Sequence, residues 1–405
     1  MKNRLHYILL LLAVLVACDK KPTDFRQYLD GHEITYPGSL DQVTVLPGNY
    51  RLQLQWAPNP DPSVTHYIVY WNNYADSLVV EAKSHTPTDT VKCTISNLQE
   101  YSYTFFINAY DAAGNKSVTR EVDNARVYGD IYHANLFNRP VNTDTPFIVS
   151  YDGSSVQIKF STPDTTNVNT AVKYTNMQGT VITKNLPATE NTVVLDGYQL
   201  GTPVLYQSSY LPQKIAIDTF TTLKADTFPT IYQITQCDKT KFAEVHFPFD
   251  AGAYEGDTYL GKVWDGNATV RGYPDIYHSD DPGISLPRTV SFDMGVVYNN
   301  IATIEEIGRN CCHNPIDFEI WGIADTTGAT PSLPGNDPNW KSMMEGKGWT
   351  MLTEAVRTDD GSAPKKFDFI PTPPPVRFMV MRVIKVASGT NSINMSQLTL
   401  WYRKQ

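Results

Sequence analysis

Apolar and polar residues alternate in short runs along most of this chain. In residues 50–56, Leu52, Leu54 and Trp56 take turns with Arg51, Gln53 and Gln55, the period of a strand with one buried face. Residues 66–71 and 101–110 are rich in Tyr, Ile, Val and Phe, and they are bounded by Pro58, Pro60 and Pro62 on one side and Gly114-Asn115 on the other. Further along, Val156, Ile158 and Phe160, then Val172 and Tyr174, then Val193 and Leu195 keep the same period, with turn signals at Asp152-Gly153 and Gln178-Gly179. No window carries a 3.6-residue apolar period. The pattern predicts an all-β chain, and 405 residues predict two or three domains.

One run departs from this pattern. Lys2 and Arg4 precede an apolar stretch at residues 7–17 that ends in Leu15-Val16-Ala17-Cys18. Eleven residues fall short of the roughly 20 a membrane-spanning helix needs, so residues 1–17 read as a signal peptide that is removed. The cysteine directly after a Leu-x-Ala ending resembles the bacterial lipobox. That resemblance implies that Cys18 is diacylated and becomes the new N-terminus, anchored durably by its acyl chains. Residues 18–33 are polar, carry Pro22 and Asp30-Gly31, and read as a lipidated spacer.

The formal net charge is -9 with no basic block, which argues against nucleic acid and against an anionic lipid surface. The membrane is therefore expected to be met through the lipid anchor alone. After processing, Cys93, Cys237, Cys311 and Cys312 remain, too few for a disulfide framework. Adjacent Cys311 and Cys312 allow a vicinal bond or a bond from either one to Cys237.

Residues 34–128 carry a Trp on an early strand (Trp56), a Tyr-rich strand with Tyr70-Trp71-Asn72-Asn73, a corner at 98–103 and a strand closing in Tyr110-Asp111-Ala112-Ala113-Gly114-Asn115. This order resembles a fibronectin type III sandwich. With the Tyr36-Pro37-Gly38 opening it also resembles the N-terminal domain of a family of Bacteroidetes surface lipoproteins. Trp56 is expected in the core, while Trp71, on the opposite parity from Tyr70, is open to a surface role. Residues 129–223 read as a second sandwich of the immunoglobulin or fibronectin kind.

Residues 224–405 hold the richest series of motifs: Trp264-Asp265-Gly266-Asn267, then Phe292-Asp293-Met294-Gly295, Asp317-Phe318-Glu319-Ile320-Trp321-Gly322, Trp349 to Leu352, Arg377-Phe378-Met379-Val380-Met381-Arg382 and Leu398-Thr399-Leu400-Trp401. In this order they resemble the coagulation factor 5/8 type C, or discoidin, domain. The expected fold class is thus all-β, two tandem immunoglobulin/fibronectin III-like sandwiches followed by a discoidin-type jelly roll of the galactose-binding kind. Trp349, Phe378 and Trp401 are expected in the interior or its seams.

The resemblance implies ligand binding by loops at one end of the jelly roll. Sugar recognition needs an aromatic face for the apolar side of the ring and fixed polar groups for its hydroxyls. Residues 271–278, 309–314 and 331–347 supply both, and the candidates are Tyr273, Tyr277, His278, Arg309, His313 and Trp340. The resemblance also implies a structural calcium near the Asp265 turn, with Asp265, Asn267 and Gln397 as ligands. Gln397 stands where the family has an acid, which weakens the attraction for the ion. No cofactor is otherwise required.

The chain lacks a Gly-x-Ser-x-Gly elbow, a His-Glu-x-x-His pair, a phosphate loop and a dinucleotide fingerprint, and sandwich modules absorb nearly all of it. It reads as non-enzymatic. The expectation is a lipid-anchored outer-membrane protein facing the exterior that binds glycan for a transporter and companion surface proteins. The alternative is an adhesion or scaffold protein that contacts other proteins.

Overall fold

The computed structural model describes residues 36–388 and 390–405. The signal peptide, Cys18 and the spacer expected at 18–33 lie outside the described residues.

In the first unit, alternation becomes two facing sheets. Strands Val43–Pro47, Arg51–Trp56 and Val91–Ser96 form a three-stranded sheet, and Asp76–Glu81, Val64–Trp71, Ser102–Asp111 and Arg120–Arg126 form a four-stranded one. Register pairs Leu52 with Ile95 and Leu54 with Cys93, so these side chains face Tyr67, Val69, Phe105 and Ile107 across one core. Each fully buried Leu or Ile there contributes about 1.5–3 kcal/mol. Trp56 lies in this core edge-on to Tyr67, with ring centroids 5.4 Å apart. Trp71 is half-buried and leans on the same core beside Phe105, so its role is packing. The corner is pinned by the Gln99 N–H, which donates to Tyr103 Oη at 2.9 Å, as in the tyrosine corners of related sandwiches.

The second unit repeats the plan. Phe147–Val149, Ser155–Lys159 and Thr192–Asp196 face a sheet of Val181–Pro187, Asn167–Thr175 and Leu205–Tyr210, with Phe220–Thr221 and Asp226–Thr227 both pairing with Leu205–Tyr210. Phe228 and Ile231 complete its core, so the unit runs beyond residue 223. A short helix, Asp130–Ala134, links it to the first unit, and Glu100 accepts hydrogen bonds from the N–H groups of Ile131 and Tyr132 at the start of that helix.

The third unit is a jelly roll of two larger sheets. Gln233–Gln236, Gln397–Lys404, Ile301–Ile307 and Lys365–Asp368 form one. Ala243–Val245, Arg288–Tyr298, Val376–Val386, Pro315–Ile323 and Thr350–Val356 form the other. The five-stranded sheet is buried on both faces. Phe318, Ile320, Met379 and Met381 point into the central core, while Trp321 and Val380 point outward beneath a segment that carries the helix Trp340–Gly346. That second face explains why Val376–Val386 reads as a nearly continuous apolar run. Trp349 is buried and Phe378 half-buried at this outer layer. Trp401 is half-exposed, with Lys366 Nζ 4.1 Å from its ring centroid.

Candidate functional site

At one end of the jelly roll a two-stranded ribbon, Tyr277–His278 paired with Asn394–Met395, meets the turn at 309–314. Successive residues of a strand face opposite ways. Tyr277 therefore points inward, 1% exposed, its hydroxyl donating to Ala251 O at 3.1 Å. His278 points outward, where its ring stacks on Tyr254 (4.9 Å, 16°) and on His313 (6.1 Å, 22°), with Tyr273 edge-on at 6.2 Å. The Arg309 guanidinium lies 6.0 Å from the Tyr273 ring centroid.

The turn that carries Arg309 and His313 is built by Asn314. Its Oδ1 accepts from the Arg309 N–H at 2.7 Å, and its Nδ2 donates to Arg309 O at 2.9 Å and to Asp360 O at 3.0 Å. His313 sits in the left-handed region at φ 63°, and its Nδ1 lies 3.0 Å from Ser388 Oγ. Cys311 and Cys312 form a vicinal disulfide in the same turn, leaving Cys93 and Cys237 free and buried. Of the pairings the sequence allowed, the vicinal one is present.

Burial, with the Arg309 charge behind it, lowers the pKa of both His278 and His313 below the ordinary imidazole value. Both rings are then neutral at pH 7, each with one donor and one acceptor nitrogen. His278 Nδ1 and Arg309 Nε are buried with no hydrogen-bond partner. Tyr254 is 60% exposed and Tyr273 45% exposed. Two open aromatic faces beside two neutral imidazoles and a guanidinium form a surface suited to a ring with one apolar side and a rim of hydroxyls.

The structure thus gathers Tyr273, His278, Arg309 and His313 and separates the other two candidates. Tyr277 is a core residue because it sits on the inward parity of its strand. Trp340 is also buried, 1% exposed, edge-on to Trp321 with the Arg382 guanidinium 4.9 Å from its ring centroid. It lies beneath the outer face of the five-stranded sheet and belongs to the second apolar cluster. Tyr254 and Glu255 were missed. They precede the Asp265 turn, and what brings them in is a backbone bond, Tyr254 N–H to His278 O at 2.8 Å. A Tyr-Glu pair between Gly252 and Gly256 was the available signal.

Asp265, Asn267 and Gln397 do converge, as the calcium expectation requires. They converge around a cation the chain itself supplies: Arg271 Nη1 donates to Asp265 Oδ2 at 2.7 Å, and Arg271 is 7% exposed. Lys239 approaches the same group, its ammonium pushed down to about 8 by burial, with Asp265 and Glu305 opposing the shift. Among the described residues no cluster of three or more His, Cys, Asp or Glu could hold a metal. Carboxylates already paired with a guanidinium beside a buried ammonium do not fit calcium, which prefers several hard anionic oxygens of its own.

A family described only as a domain of unknown function, DUF4998, matches residues 18–220, just over half of the chain. The chain belongs to the DUF4998 family. Beyond that first half, a second domain of unknown function, DUF5000, matches residues 264–402. No curated protein matches. Among solved structures, this DUF4998 chain is similar to a SusE-like protein at 13% identity and TM-score 0.32, covering 91% of this chain and 98% of that one. A family 32 carbohydrate-binding module from the Clostridium perfringens protein NanJ, solved with galactose, is 14% identical with TM-score 0.30 over 42% of this chain and 99% of the module. Two fibronectin type III domains of chicken tenascin are 12% identical with TM-score 0.20, covering 47% of this chain and 97% of theirs. No helix among the described residues is long and apolar enough to cross a membrane.

Proposed function

We propose that this DUF4998 protein binds glycan at a bacterial cell surface through the end of its jelly roll, without catalysis. The observation that carries the reading is the cluster of Tyr254, Tyr273, His278, Arg309 and His313, where exposed aromatic residues adjoin polar side chains, two of them on a turn whose backbone a buried asparagine pins. An aromatic face takes the C–H side of a pyranose, and Arg309 with the imidazoles takes its hydroxyls. The Cys18 motif supports a lipid anchor, and the DUF4998 match begins at that residue. In this reading the protein is anchored in the outer membrane facing outward, and it presents captured glycan to a transporter and companion proteins.

The test is a glycan array followed by affinity electrophoresis with the full chain and with His278→Ala and Arg309→Ala. Binding that drops at least tenfold in both variants while calorimetry shows intact folding supports the reading. A chain that binds no glycan and retains a specific protein partner overturns it in favour of the scaffold reading. That second reading has its own observation: the outer face of the four-stranded sheet in the first unit stacks Tyr74 on Phe106 at 4.7 Å and His66 on Tyr110 at 5.3 Å, with Tyr74 exposed.

A further inference from the structure

We infer that the guanidinium of Arg271 takes the place of a loop-pinning metal ion, so that the binding end of this jelly roll is organised without calcium. The residues from Lys262 to Asn267 and the start of the last strand present six oxygens to one another: Lys262 O, Val263 O, Asn267 O, both carboxylate oxygens of Asp265, and Ser396 O. Six is the lower limit of a calcium shell. All six are already paired with N–H donors of this chain.

Arg271 pairs with three of them and with one further carboxylate oxygen. Its Nη1 donates to Asp265 Oδ2 at 2.7 Å and to Asp275 Oδ2 at 3.1 Å, and its Nη2 donates to Lys262 O at 2.9 Å and to Ser396 O. Gln397 supplies the rest. Its amide fits this set with the nitrogen turned toward Val263 O, Asn267 O and Asp265 Oδ1, each at 3.3 Å, its two N–H groups shared among the three, and the oxygen accepting from Lys239 Nζ at 2.5 Å. An acid at 397 would add a negative charge that one guanidinium cannot offset alone. The neutral amide balances a site whose central cation carries one charge instead of two. Lys239, donating to Thr399 Oγ1 at 2.7 Å, adds further positive potential against an incoming divalent ion.

The same residue ties this shell to the candidate site. The Arg271 N–H donates to Ser396 Oγ at 2.9 Å, and its carbonyl accepts from the Asn310 N–H at 2.9 Å, next to Arg309. Two residues beyond Arg271 in the chain stands Tyr273. Arg271 is thus a positioning residue for both Tyr273 and Arg309, and an ion bound by backbone oxygens would be replaced by a covalently attached one that no chelator removes.

The experiment uses the full chain, purified in detergent, with terbium and calcium as probes. Trp264 adjoins Asp265 in sequence and would sensitise terbium luminescence. The wild type is expected to show no sensitised emission and no change in unfolding midpoint with EDTA or with calcium up to about 10 mM, ten times the weakest affinities of extracellular calcium modules. Arg271→Gln is expected to lower the midpoint by roughly 5–10 °C, because buried carbonyls and a carboxylate lose their donors. In Arg271→Gln combined with Gln397→Glu, terbium emission appears and calcium restores part of the lost midpoint, a rescue that a merely structural arginine would not produce. A wild-type midpoint that rises with calcium or falls with EDTA overturns the inference, as does a folded double variant that ignores both ions. If the variants do not fold, the wild-type titration decides alone, and none of these readouts depends on a glycan.

Discussion

Trp340→Ala separates packing from recognition most cleanly. The indole is 1% exposed, meets Trp321 edge-on at 5.4 Å, and carries the Arg382 guanidinium 4.9 Å above it. Truncating a buried Trp to Ala costs about 3–5 kcal/mol, and the aromatic and cation–π contacts place this site toward the upper end. For a unit of 150–250 residues each kcal/mol moves the midpoint by about 2–4 °C, so the transition of the third unit should fall by roughly 6–20 °C. Scanning calorimetry of the full chain measures it. Transitions of the other two units should stay in place, because every partner of Trp340 in its cluster lies in the third unit. Glycan affinity measured well below the lowered transition should match the wild type within a factor of two. An unmoved transition, or binding lost while the fold is intact, would refute the reasoning and return Trp340 to the binding surface.

Tyr254→Ala should cost at least tenfold in glycan affinity with little change in midpoint, whereas Tyr277→Phe should leave affinity alone and cost about 1 kcal/mol for the hydrogen bond to Ala251 O; titration calorimetry and thermal melts distinguish the two. Asn314→Ala removes one acceptor and two donors of a fully buried side chain, for a loss of about 2–3 kcal/mol and weaker binding through displaced Arg309 and His313, read by urea unfolding and the same titration. The folded Lys239 has its pKa near 8 against an ordinary value of 10.5, so between those values the unfolded chain holds a proton the folded chain has released. Stability should therefore rise with pH across that window, and Lys239→Met should flatten the rise; a variant with the wild-type slope would show that Lys239 is not its source. His278 and His313 are shifted below 6.5, so glycan affinity should hold as pH falls through 6.5 and drop only at more acid values.

Much of the fold was legible because the first two units bury one face of each strand. Leu52, Leu54 and Trp56 alternate in the sequence and lie together in the core. The five-stranded sheet of the jelly roll is buried on both faces, so the run 376–386 gave no parity, and the long connection above it looked like an exposed loop although it carries Trp340 inward. The site was legible as a neighbourhood and not as a set of directions. Tyr277 and His278 are adjacent, and only pairing with Asn394–Met395, more than 110 residues away, decides which of them faces out. Gln397 stood out as a departure from the acid, but its compensation by Arg271 depends on two segments 126 residues apart.

The two free thiols among the described residues have a practical consequence. Cys93 lies in the core of the first sandwich and Cys237 in that of the jelly roll, and burial pushes them up to about 11 and about 12. Neither is a reactive nucleophile while its unit is folded. A thiol-specific label added during a slow thermal or urea ramp would then act as a clock with two hands, one for each outer unit, with the middle unit silent. These units carry their own probes for the order in which they come undone.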